Sequence, residues 1–189
     1  MTYSQVLRGL AARIDGLDAR RQAALFWLLG SGLLANLTPP APWAEWIGDA
    51  RSMGYGYVVR GEVSEAALEG WERAQTPTGG DVSQWLNSLV ICLSTPLGLA
   101  LGRCHAVGAW FEHALFPLIQ HESLRLFDDV ALPDDDEDLE LVVAQPSVQR
   151  AIAYGHSVLD RLERLSKEPD ATLMEELLAD AAHVSPPAR

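Results

Sequence analysis

Apolar residues recur at helical spacing along most of the chain. Val6, Leu7, Leu10 and Ile14 fall on one face while Arg8 and Arg13 lie elsewhere, which predicts a helix over 4–14. Asp15-Gly16 ends it, and Asp18 is placed to cap a second helix with an apolar body over 23–37. Few polar side chains interrupt that body, so it belongs at the centre of the fold. Thr38-Pro39-Pro40-Ala41-Pro42 stops it, and Pro42 suits the first turn of a third helix. Trp43, Trp46, Ile47, Ala50 and Met53 form the stripe of that helix. Gly54, Gly56 and Gly61 then surround Tyr55, Tyr57, Val58 and Val59, the one stretch with strand character. A further helix is expected over 63–75, carrying Ala67, Leu68 and Trp71.

Thr76-Pro77-Thr78-Gly79-Gly80 reads as a turn, with Asp81 as cap for the next helix. Trp85, Leu86, Leu89 and Leu93 make the stripe of that helix, which Pro96 should kink or divide. Helix then continues to about Phe127, with a break near Cys104-His105. Pro146 opens another helix, in which Val148, Ile152, Gly155, Leu159 and Leu162 share a face. Asp160–Arg164 and Glu163–Lys167 are favourable i,i+4 pairs on its outside. Pro169-Asp170 breaks it, Thr172 and Glu175 have capping-box spacing before Leu177 and Leu178, and 185–189 reads as a disordered tail. The expected fold is all-α, a single-domain multi-helix bundle over 1–184, of about seven or eight helices, with 23–37 and 82–102 buried centrally.

Two uncharged runs raise the question of a membrane. The continuous apolar part of 23–44 is only about 15 residues, short of the roughly 20 that a spanning helix needs. The run 82–102 is long enough but carries Gln84, Asn87, Ser88, Ser94, Thr95 and Pro96, so both are read as core helices. The sequence has 189 residues, 48% of them hydrophobic, enough for a sizeable core. Of its 14 basic residues only Lys167 is a lysine, a bias that with abundant alanine suggests a GC-rich bacterial genome. Cys92 and Cys104 are too few for a disulfide framework and lie in apolar stretches expected to be helical, where free thiols act as small hydrophobes. A reducing cytoplasm is the expected setting, and Met1-Thr2-Tyr3-Ser4-Gln5 lacks the basic and apolar regions of a signal peptide.

The net charge of −12 argues against nucleic acid and against an anionic membrane surface, and suits a basic protein partner. It is unevenly placed. Asp128, Asp129, Asp134, Asp135, Asp136, Glu137, Asp138 and Glu140 put eight carboxylates and no base into 128–140. That segment is expected to be a solvated loop, becoming helical near its end, and its eight carboxylates are the candidate partner-binding residues. Solubility alone is the plainer explanation of the charge.

Catalytic patterns are missing. His105, His113, His121, His156 and His183 include no i,i+4 pair, and no Glu-x-x-His motif accompanies the i,i+7 pair His105 and Glu112. The acidic run lacks the alternation and turn glycine of a calcium loop. His105 beside Cys104 does not by itself create a nucleophile. No phosphate loop, dinucleotide fingerprint, nucleophile elbow or zinc motif occurs. Gly98-Leu99-Ala100-Leu101-Gly102 permits close helix packing, and Trp43 and Trp46 read as core before they read as interface anchors. No catalytic residue, metal site or cofactor is expected.

The stretch LDARRQAALFWLLGSGLLANL over 17–37 resembles the opening of domain-of-unknown-function family 416, a bacterial helical group. A polar lead with Gln precedes a long apolar helix that ends near an Asn; a Trp-containing stretch, a small-residue-rich central helix and a Pro-started helix over 146–165 come after it in similar order. Ala35-Asn36-Leu37 stands where the family's Pro-Asn-Tyr-type step is expected. The resemblance implies an all-helical fold and no established activity. The leading expectation is an acidic cytoplasmic binding protein, of the immunity type that neutralises a basic toxin. A helical structural or regulatory module, or an enzyme with an unconventional site, is the alternative.

Overall fold

Thr2 and Gln5 start the first helix by a reciprocal cap. Thr2 Oγ1 accepts from the Gln5 amide, and Gln5 Oε1 accepts from the Thr2 amide at 3.0 Å. The computed structural model describes residues 2–66, 68–69, 84–128 and 136–186. Among them are eight α-helices, two 3-10 turns and no strand, so the all-α fold is as expected. Helix α1 (Tyr3–Asp15) buries Tyr3, Leu10 and Ile14. Helix α2 (Ala19–Leu33) is capped by Asp18, whose Oδ1 accepts from the Arg21 amide at 3.0 Å. Every residue from Gln22 to Leu33 is buried, which makes α2 the central helix. Buried Gln22 is satisfied by donating to the Ile14 carbonyl at the end of α1, at 3.0 Å.

Helix α3 (Ala41–Arg60) has Pro42 in its first turn and runs on through the stretch with strand character. The glycines there serve packing: a Cβ on Gly54 would lie 3.3 Å from both Pro96 and Trp27. The helix stops at Gly61, whose φ of 76° is the left-handed cap that glycine adopts without strain. Glu65, Ala66, Leu68 and Glu69 are helical and Leu68 is buried; the rest of the helix expected over 63–75 and the turn 76–81 lie outside the described residues.

Helix α4 (Gln84–Ala100) is not divided by Pro96. An interior proline costs about 3 kcal/mol. Burial of Leu86, Leu89, Leu93 and Leu97 against α2 and α3 outweighs it, at about 2 kcal/mol for each fully buried leucine. The α2–α4 contact is the most extensive in the fold, and it is close because a Cβ on Gly30 would lie 2.6 Å from Leu93. The two glycines of Gly98-Leu99-Ala100-Leu101-Gly102 do different jobs. Gly98 leaves room for the Cys104 side chain, and Gly102, at φ 65°, turns the chain out of the helix. Cys104 and His105 therefore sit in a non-helical link, and His105 shares no helical face with Glu112.

A 3-10 turn (Val107–Trp110) leads into α5 (Phe111–Phe127). Helix α6 (Asp136–Val143) and the Pro146-started α7 (Pro146–Glu163) come next. Asp160 and Glu163 do not form the outward pairs expected with Arg164 and Lys167. Arg13 of α1 reaches them first, with contacts of 2.6 and 2.8 Å, and ties α1 to α7. Helix α8 (Ala171–Leu178) is capped by Asp170, whose Oδ1 accepts from the Leu173 amide at 2.9 Å, so Thr172 lies inside the helix and not at its cap. After a 3-10 turn (Ala181–Val184), Ser185 donates to the Leu33 carbonyl at 3.1 Å, and Ser185 and Pro186 are buried. The start of the tail expected to be disordered is thus docked on the end of α2, and 187–189 lie outside the described residues. Among the described residues no helix is long and apolar enough to cross a membrane.

Candidate functional site

The acidic segment is split between a helix end, described helix and residues beyond description. Asp128 closes α5 at a φ of 55°. Asp129, Asp134 and Asp135 lie outside the described residues, and Asp136 begins α6. From Asp136 on, the segment is helical, because Leu139, Val142 and Val143 give it a face to bury: Val142 and Val143 are in the core and Leu139 packs against it. The helix expected near the end of the segment thus begins at Asp136, and the part expected as loop, 129–135, lies outside the described residues. Glu137 is exposed, whereas Asp138 is half-buried with a partner inside the protein. Glu140 Oε1 accepts from the Tyr3 amide at 2.7 Å. That amide is one of the unpaired donors at the start of α1, where a carboxylate is favoured by both hydrogen bonding and the helix dipole. Glu140 thus fastens the acidic helix to the start of α1.

Two adjoining cavities lie along this junction and share Tyr3, Ser4 and Leu139. One, of about 530 Å³, is walled on its α6 side by Glu137, Glu140 and Leu141. The other, of about 320 Å³, continues past Arg8 and Phe111 to Glu112. Burial pushes the Glu112 carboxyl above its ordinary range. Burial, and then the Glu112 charge, push the Tyr3 phenol up as well, and its hydroxyl is buried with no hydrogen-bond partner among the described residues. Glu137 and Glu140 thus line one cavity, Glu112 and the base Arg8 line the other, and Tyr3 lines both.

Exposed apolar side chains flank the acidic segment in the chain, and their exposure was not read from the sequence. Leu126 is 41%, Phe127 38% and Leu141 56% exposed, and these are the exposed large hydrophobics among the described residues. All three adjoin the acidic segment: Leu126 and Phe127 precede Asp128, and Leu141 comes directly after Glu140. Leu141 is flanked by buried Val142 and by Glu140, so its place on the outer face of a short helix was hidden until the helix and its register were known.

Elsewhere the chemistry-bearing side chains are dispersed. Among the described residues no three His, Cys, Asp or Glu side chains gather as a metal group. His113 stands edge-on to Phe116 and burial lowers its pKa; His156 Nδ1 lies 3.1 Å from Arg13 Nη1. Cys92 is buried, with its thiol pushed up to about 12, while Cys104 is half-buried; both are free thiols. Trp43 and Trp46 are buried in an edge-to-face pair, in accord with a core role. Comparison of the chain with protein-family models, with curated proteins and with solved structures finds no match.

Proposed function

We propose that this chain is a binding protein that docks a basic protein on the edge formed by α6, the end of α5 and the start of α1. Binding would block the partner, as a bacterial immunity protein blocks its toxin, and would need no catalysis, metal or cofactor. The observation that carries this reading is the position of Leu126, Phe127 and Leu141 beside the acidic segment. Solubility explains carboxylates but does not explain exposed leucine and phenylalanine among them. An interface uses both: apolar anchors that lose water on contact, and a charged surround that steers the partner and sets its orientation. The cavity lined by Glu137 and Glu140 adds a place for a lysine or arginine of the partner.

Three immobilised proteins test this against extracts of the native host: the unaltered chain, a charge variant and an apolar variant. The charge variant carries Asp134→Asn, Asp135→Asn, Asp136→Asn and Glu137→Gln, leaving Asp138 and Glu140 to their internal partners. The apolar variant carries Phe127→Ser and Leu141→Ser. The unaltered chain should retain a basic protein that both variants retain poorly. Equal retention by all three, or retention of no basic protein, contradicts the proposal.

A further inference from the structure

A second cleft, sharing no element with the acidic edge, lies between α2, α3 and α8. It has a volume of about 400 Å³, and its walls include Trp27, Gly48, Arg51, Tyr55, Met174 and Leu178. Its polar groups are held in place by the fold. Trp27 Nε1 donates to the Arg51 carbonyl at 2.8 Å, which fixes the indole, and the Tyr55 ring stands 5.1 Å from it. Arg51 Nε donates to Ser31 Oγ at 3.0 Å, and its guanidinium carbon lies 5.5 Å from the centroid of the Trp27 ring. The side chain is thus pinned at Nε, and its two Nη groups have no protein partner among the described residues. A guanidinium fixed in this way presents a ready fork of donors to a carboxylate.

Gly48 is the second observation. It lies within α3, where glycine is less favourable than alanine. Gly54 has neighbours that a Cβ would crowd, but a Cβ on Gly48 would meet nothing within 4 Å. Packing does not call for glycine here, and Gly48 stands on the cleft wall, where a longer side chain would take up cleft space. Glu175 also lines the cleft and offsets part of the Arg51 charge, so the site balances one negative charge at most. We infer that this cleft binds a small monoanion with a flat apolar body, its carboxylate on Arg51 and its body against Tyr55 and Leu178, beside the edge of buried Trp27.

The test uses the full chain and three probes of like size: indole-3-acetate, neutral indole-3-ethanol and cationic tryptamine. Binding is monitored by calorimetry and by the Trp27 indole N–H resonance. Indole-3-acetate should bind saturably and shift that resonance, at least about tenfold more tightly than either other probe. Gly48→Leu, whose Cβ meets nothing within 4 Å, should fold normally and abolish the binding. Arg51→Gln should bring the acid and the neutral probe to similar affinity. The inference is overturned by absence of saturable binding, by preference for tryptamine or the neutral probe, or by binding that survives Gly48→Leu.

Discussion

Gly32 sits where α2 passes the 3-10 turn Ala181–Val184, and a Cβ there would run into the Ala181 carbonyl. Backbone cannot move aside as a flexible side chain can, so Gly32→Ala should destabilise by about 1–3 kcal/mol. Gly9, exposed on α1 with open space around it, is the control: Gly9→Ala should stabilise by about 0.5–1 kcal/mol. Chemical denaturation of the two variants checks both signs. The sequence presents the two glycines alike, because what separates them is a chain segment about 150 residues away. The same limit applies to Arg13. Its charge is visible in the sequence, but its partners Asp160 and Glu163 are set by how α1 meets α7. Asp18 was legible because a cap is local: its acceptor and its donor are three residues apart.

At the scale of elements, that Arg13 contact makes stability depend on pH. Hydrogen bonding to Arg13 holds Asp160 below its ordinary 3.8 and Glu163 below its ordinary 4.5. Carboxyls depressed in the fold stabilise it above their unfolded pKa values, and that contribution is lost as pH falls through the folded ones. Both groups are largely exposed, so the effect is modest and screened by salt. Denaturation at pH 6 and pH 3 should show Arg13→Met less stable than the unaltered protein at pH 6, with the gap narrowing at pH 3. A gap that is the same at both pH values would remove Arg13 as the link. Element boundaries were legible where the signal is local, as with Pro146, which opens α7. They were misread where tertiary packing overrides a local preference. Pro96 lies inside α4, and Gly54 and Gly56 inside α3, because these helices bury enough apolar surface to absorb the cost.

Across the whole molecule, one buried cluster joins α2 to all its neighbours, and its placement could be read from the run of apolar residues over 23–33. The thiols report on this core. Cys92, buried in α4, should resist alkylation until the protein unfolds, whereas half-buried Cys104 should react in the native state; equal native rates would contradict the burial pattern. The candidate site was half legible. Its carboxylates stand together in the sequence, but the groove between α1 and α6 and the outward face of Leu141 depend on a contact between residues 3 and 140. Acidic residues that steer a partner act over a distance set by salt, so their signature is kinetic. The decisive measurement is the association rate of the captured basic partner from low to high ionic strength. The unaltered chain is compared with the variant carrying Asp134→Asn, Asp135→Asn, Asp136→Asn and Glu137→Gln. The unaltered chain should associate about tenfold or more faster at low salt and lose that advantage as salt rises, while the variant's rate stays nearly flat. Equal rates with the same salt dependence would contradict a partner-binding role for the acidic edge.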